Sequence, residues 1–240
     1  MSKFIVNLLL VLPGTLFYLG GGVHGKNLAI DYSTNQEPQI STLDRASQRF
    51  ISLHGKTVVK YAEQYKLDWR LVLAVMKTES QFQGEVVSSR GAKGLMQMLP
   101  VTQSIVAGEL GLEDETFDTP EMNIKGGVHF LAKLQKMLDG MGLSEENRIR
   151  FTLVAYCAGI GRLADAQKMA SYMNDDPREW SSIKYSLSLL SSKYSSLHSH
   201  VWGMNHPSNG YFRQGQMVAN YVETIMADYG RYRLAIPRKV

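Results

Sequence analysis

Residues 78–100 read TESQFQGEVVSSRGAKGLMQMLP, and the rest of the chain is understood by working outward from them. Glu79 stands at the end of an apolar helix pattern that starts near Trp69. At about 100° per residue, with Val72 as origin, Val75, Met76 and Glu79 fall within about 60° of one line. Arg70, Lys77 and Gln81 project to the opposite, wettable face. The helix therefore turns Glu79 towards the core one turn before it ends. A carboxylate placed against apolar surface loses hydration, so its pKa rises, and such an acid is ready to donate a proton near neutral pH. The other reading of the same residue is a helix-end glutamate that reaches water or pairs with Arg90 or Lys93.

The following residues, Ser88 to Gly94, make a polar turn with two glycines, which permits positive φ and close backbone approach. The chain then returns Gln97 between apolar neighbours, just before Pro100, a residue suited to the first turn of a helix. An amide brought back towards a buried acid gives a cleft a hydrogen-bonding wall. It could equally cap its own loop, and spacing does not separate the two.

Outward from this stretch the signals are helical. Val58, Tyr61, Ala62 and Tyr65 follow a one-face stripe, and Asp68 reads as the N-cap of the Trp69 helix. Further helices are expected over Val101–Leu110, Ile124–Met137, Glu145–Tyr156, Arg162–Met173 and Val218–Tyr232. Ser181–His200 reads as a short helix plus loop, and His206–Tyr211 as a turn. The fold class is mostly α: one domain over 45–235, with a short glycine-rich loop or small hairpin beside the Glu79 helix.

The composition, 44% hydrophobic and 20% charged over 240 residues, is enough for a sizeable core. The net charge of +4, with no run of five like charges, gives no nucleic-acid footprint. The lone Cys157 rules out an intrachain disulfide. Lys3 followed by Phe4–Leu12 and then Pro13-Gly14, with Val23 and Gly25 near a cleavage point, reads as a secretory signal over residues 1–25. An uncleaved anchor is the alternative, since residues 4–23 approach the length of a bilayer. Residues 26–44 read as a linker. Six scattered histidines without a matching acid set suggest no metal site, and no cofactor motif is visible.

Glu79-Ser80-x-Phe82, then Ser88-x-x-Gly91-Ala92-x-Gly94-Leu95-Met96-Gln97-x-x-Pro100, resembles the signature of the soluble-lytic-transglycosylase type of peptidoglycan-cleaving domain. Ala155-Tyr156-Cys157-Ala158-Gly159 is similar to its Ala-Tyr-Asn-Ala-Gly segment, Asn123-Ile124-x-x-Gly127 to an intervening helix, and Tyr221-Val222-x-x-Ile225 to its closing helix. The resemblance covers roughly residues 55–232 and is nearest the catalytic domain of the membrane-bound lytic transglycosylase F group.

The resemblance implies a lysozyme-like fold and a single catalytic acid, Glu79. Ser88, Met96 and Gln97 would line the sugar-binding cleft, Tyr156 would bring a hydroxyl to the reacting region, and Tyr221 would stand in the closing helix. It further implies cleavage of the β-1,4 bond between N-acetylmuramic acid and N-acetylglucosamine with 1,6-anhydro ends, by a monomer in the periplasm or cell envelope of a bacterium. The partner would be peptidoglycan glycan strands, with membrane contact through residues 4–23. Two departures stand out: Cys157 replaces the usual Asn, and Gln216-Met217 replaces a glutamate that many members carry there. A two-carboxylate lysozyme-like hydrolase using Glu85, and a non-catalytic peptidoglycan-binding scaffold, are the competing functions.

Overall fold

Asp44, Asp68, Thr119 and Ser144 each accept a hydrogen bond from a backbone N–H two or three residues on, and a helix starts behind each. Such caps contribute about 1 kcal/mol apiece. The computed structural model describes residues 40–112 and 116–237. In chain order the helices are α1 (Arg45–Gln64), α2 (Trp69–Ser80), α3 (Pro100–Leu110), α4 (Pro120–Met137), α5 (Glu145–Ala158), α6 (Ile160–Tyr172), α7 (Trp180–Ser188), α8 (Ser195–Trp202) and α9 (Gly215–Ala235). Pro100 and Pro120 open α3 and α4, where a missing N–H is no loss. A leader or anchor over 1–25, and residues 26–39 of the expected linker, lie outside the described residues. Among the described residues, no helix is long and apolar enough to cross a membrane.

The core is built around α2, whose residues from Trp69 to Met76 are all buried. It packs on α1 and α9. Helix α5 packs on α4, α6 and α9, and α7 braces α6 and α9. The opposite face expected to be wettable is only partly so. Arg70 is buried, paired with Asp68 at 2.6 Å and donating to the Ile236 carbonyl at 2.9 Å. Lys77 bridges Asp44 at 2.8 Å and Asp228 at 3.2 Å, while Gln81 is exposed as projected. The projection knows only the sequence of α2; α9 and the chain beyond it bring polar partners to that side.

Ser181–His200 departs from expectation as well. It forms α7 and α8 joined by a 3₁₀ turn at Ser192–Tyr194, and not one short helix plus loop. Ile183, Ser186 and Leu187 are buried, so serine occupies a core position and hides the apolar period. The turn at 206–211 is pinned to α6: the Arg162 guanidinium donates to the Gly210 carbonyl at 2.6 Å, and Asp165 accepts the Asn209 N–H at 3.2 Å. Of the glycine-rich loop or small hairpin expected beside α2, the loop forms, with isolated antiparallel bridges, Val87 to Lys93 and Lys93 to Met98.

Candidate active site

Helix α2 stops abruptly after Glu79-Ser80, because Gln81 (φ 51°) and Phe82 (φ 63°) both adopt left-handed backbone. Phe82 then stacks on Phe50 at 4.5 Å between ring centroids, which anchors the turn. Glu79 is left facing inward at the helix end with 9% of its surface exposed. Burial pushes its pKa up to about 8, and a hydrogen bond from the Tyr221 hydroxyl, 2.6 Å from Oε1, opposes that shift without cancelling it. The acid therefore keeps its proton near neutral pH. Lys93, one of the cations considered for it, pairs instead with Asp118 at 3.1 Å.

Three groups share the neighbourhood of the acid. Burial first, and then the charge of Glu79, push the hydroxyls of Tyr156 and Tyr221 and the thiol of Cys157 well above their ordinary values. All three stay neutral, and among the described residues burial and the Tyr221 hydroxyl are what set the proton affinity of Glu79. Cys157, 2% exposed, fills its place as a small apolar group.

The glycine-turned loop forms the adjoining wall. Gly91 and Gly94 both have φ of 77°, the backbone that glycine permits. Ser80 Oγ lies 3.0 Å from the carbonyls of both Met76 and Leu95, tying the loop to the helix that carries Glu79. The Tyr156 hydroxyl donates to the Met96 carbonyl at 2.6 Å. Gln97 Nε2 donates to the carbonyls of Val86 and Gly94, each at 2.9 Å, and so caps the loop. Ser88 Oγ accepts from the backbone N–H of Ala92 at 3.0 Å and of Arg90 at 3.3 Å.

Of the residues singled out from the sequence, Tyr221 touches the acid directly, although its Tyr–Val helix pattern reads most simply as core. Tyr156 and Met96 meet each other, and Ser88 and Gln97 hold the loop in shape. Glu85 is exposed and lines a groove of about 620 Å³ with Gln83, Val86, Asp118 and Pro120, a set that does not include Glu79. Asn123 entered the sequence reading only as part of a helix motif, yet it is 1% exposed and hydrogen-bonds the Met96 N–H at 2.8 Å. An amide immediately before the buried Ile124, where α4 turns inward, is its signal. Among the described residues, no three His, Cys, Asp or Glu side chains gather as a metal site.

The family model described as Transglycosylase SLT domain matches residues 56–178. That span holds Glu79, Ser88, Met96, Gln97 and Tyr156, while Tyr221 lies beyond it. A membrane-bound lytic murein transglycosylase F from Desulfosudis oleivorans is 36% identical over 174 residues, 72% of this chain and 34% of that protein. One from Yersinia enterocolitica is 34% identical over 173 residues, 71% of this chain and 31% of the relative. The chain thus spans about a third of the length of these curated relatives. Among solved structures, an inactive mutant of the lytic transglycosylase Slt from Pseudomonas aeruginosa matches with a TM-score of 0.55 at 20% identity, covering 82% of this chain and 27% of that one. The 70 kDa soluble lytic transglycosylase from Escherichia coli matches at 0.54 and 18% identity, covering 81% and 26%. The likeness shows the same lysozyme-like helical fold.

Proposed function

The chain belongs to the transglycosylase SLT domain family, and from that premise we propose that it is a lytic transglycosylase of the bacterial cell envelope acting on peptidoglycan glycan strands. The bond cut is the β-1,4 link between N-acetylmuramic acid and N-acetylglucosamine. Protonated Glu79 gives its proton to the glycosidic oxygen as the bond to C1 breaks and an oxocarbenium-like centre forms. The Glu79 carboxylate then takes the proton of the muramyl C6 hydroxyl, whose oxygen bonds to C1 and closes a 1,6-anhydro ring. Glu79 ends protonated, as it began, and no water is consumed.

The observation that carries this reading is the burial of Glu79 with, among the described residues, a single hydroxyl, that of Tyr221, on its oxygen. One group must be an acid in the first step and a base in the second. Burial supplies the proton at rest, and the Tyr221 hydroxyl stabilises the carboxylate between the steps. Ser88 and Tyr156, both partly exposed, offer the wall against which the sugar rests, and the buried Met96 and Gln97 hold the loop behind it. The placement of Glu85 in a separate groove supports one acid over a carboxylate pair.

Mass analysis of the soluble fragments released from purified sacculi tests the proposal. Anhydro-muramyl ends from the wild type, and none from Glu79→Gln, are expected. Reducing ends heavier by one water would make the protein a hydrolase. Binding to sacculi without any release would make it a scaffold.

A further inference from the structure

The loop beside the acid is suspended from one buried amide. Asn123, in the first turn of α4, uses every polar capacity that matters there: Oδ1 accepts the Met96 N–H at 2.8 Å, and Nδ2 donates to the carbonyls of Lys93 at 3.0 Å and Phe117 at 3.2 Å. The other polar atom of the Met96 backbone, its carbonyl, takes the Tyr156 hydroxyl of α5 at 2.6 Å. One residue earlier, the Leu95 carbonyl faces Ser80 Oγ at 3.0 Å, directly after Glu79 in α2. Three helices thus grip two consecutive loop residues.

The sequence around the loop is shaped to admit that grip. A Cβ on Gly94 would lie 2.4 Å from Asn123 Nδ2, and one on Gly127 would lie 2.5 Å from the Met96 side chain. Close approach of the loop to α4 therefore requires glycine on both sides. No smaller or singly functional side chain replaces the amide. Alanine would leave one N–H without its acceptor, and aspartate would set a second oxygen against two carbonyls.

We propose that Asn123 is a positioning residue for the reaction at Glu79: by holding the Met96 backbone it sets where the Tyr156 hydroxyl stands beside the acid. The inference rests on the lytic transglycosylase reading. Asn123 itself touches neither the sugar nor the acid, and it makes and breaks no bond.

The test is a double-mutant cycle on the full chain, with Asn123→Ala, Tyr156→Phe and the two combined, read as kcat per folded molecule on glycan strands. Each single change is expected to lower kcat roughly tenfold to a hundredfold, the range a misplaced reacting geometry produces, with far smaller changes in KM. The combined variant should lose no more than the worse single one, because both act through the Met96 backbone. Losses that multiply, or a wild-type kcat in Asn123→Ala, overturn the assignment; a purely structural role would lower the folded fraction and leave kcat per folded molecule alone. If Asn123→Ala does not fold, Asn123→Leu, of similar shape but without the amide, enters the same cycle with the same expected outcome. A wild type that releases no fragments defeats the proposed function and this inference together. A wild type that cuts while the losses multiply defeats only the role of Asn123.

Discussion

The Tyr221 hydroxyl stands 2.6 Å from Glu79 Oε1, joining the first third of α9 to the last turn of α2 across 142 residues of sequence. The same two helices are stitched further along by Lys77 with Asp228 and by Arg70 with the Ile236 carbonyl, so they run antiparallel. The closing helix therefore both covers the acid and tunes it. A hydroxyl that donates to a carboxylate favours the ionised form, in opposition to burial.

Removing that hydroxyl gives the first prediction. In Tyr221→Phe, burial acts unopposed, so the basic limb of the kcat/KM profile should move upward from the value near 8 expected of the wild type. The maximal rate should fall roughly tenfold, since a hydrogen bond to a charged group is worth about 1.5 kcal/mol. A pH–rate profile checks both, and a downward shift of the limb would contradict the geometry.

Glu79 also links stability to pH. Its folded pKa of about 8 lies above the ordinary 4.5, so between those values the native state holds a proton that the unfolded chain has released. The stabilisation is complete below the lower value and is lost as pH rises to the upper one, at about 1.4 kcal/mol per pH unit. Glu79→Gln has no such proton. Urea unfolding should show the variant gaining on the wild type through that window, with parallel curves below it. Turnover should vanish at every pH.

Much of this was legible because it is local. Asp68 and Pro100 mark helix starts through their own neighbours, and the position of Glu79 follows from the period of α2. What was hidden depends on partners far along the chain. Arg70 projects to a wettable face, but Ile236, 166 residues away, gives it a buried acceptor. Tyr221 looks like an ordinary core residue until α9 is laid on α2. Gln97 had two readings, cleft wall or loop cap, and its left-handed backbone (φ 45°) turns the amide nitrogen onto Val86 and Gly94. Asn123 stood in a motif, but its role was hidden for the same reason: its value lies in the three backbone groups that it gathers.

The start of α1 offers a charge test. Burial pushes the Asp44 carboxyl up, but the Lys77 ammonium and the Ser47 N–H and hydroxyl outweigh it and bring the pKa from 3.8 to about 2. Asn can still cap the helix, so Asp44→Asn isolates the charge. With Asp44 nearly half exposed, a cost of about 1 kcal/mol at neutral pH is expected after solvent screening. The difference is complete above the ordinary value and should disappear as pH falls through the lower one. Chemical denaturation in acid and at neutrality measures it.

Two glycines of α9 should respond with opposite signs. A Cβ on Gly215 would lie 2.1 Å from the Leu187 carbonyl oxygen, so Gly215→Ala must push α7 and α9 apart, at about 1–3 kcal/mol. Gly230 is exposed in mid-helix with nothing within 4 Å, and Gly230→Ala should add up to about 1 kcal/mol. Thermal unfolding of the pair checks both; a neutral Gly215→Ala would mean that α7 yields without cost.

The abrupt stop of α2 at Gln81 and Phe82 has an electrostatic consequence. Backbone dipoles of a helix add head to tail, so the end that carries Glu79 is its negative pole. The chain thus discourages ionisation by its direction of travel as well as by dryness. Transplanted to the opening turn of the same helix, an equally buried acid would feel the reverse polarity and surrender its hydrogen more readily.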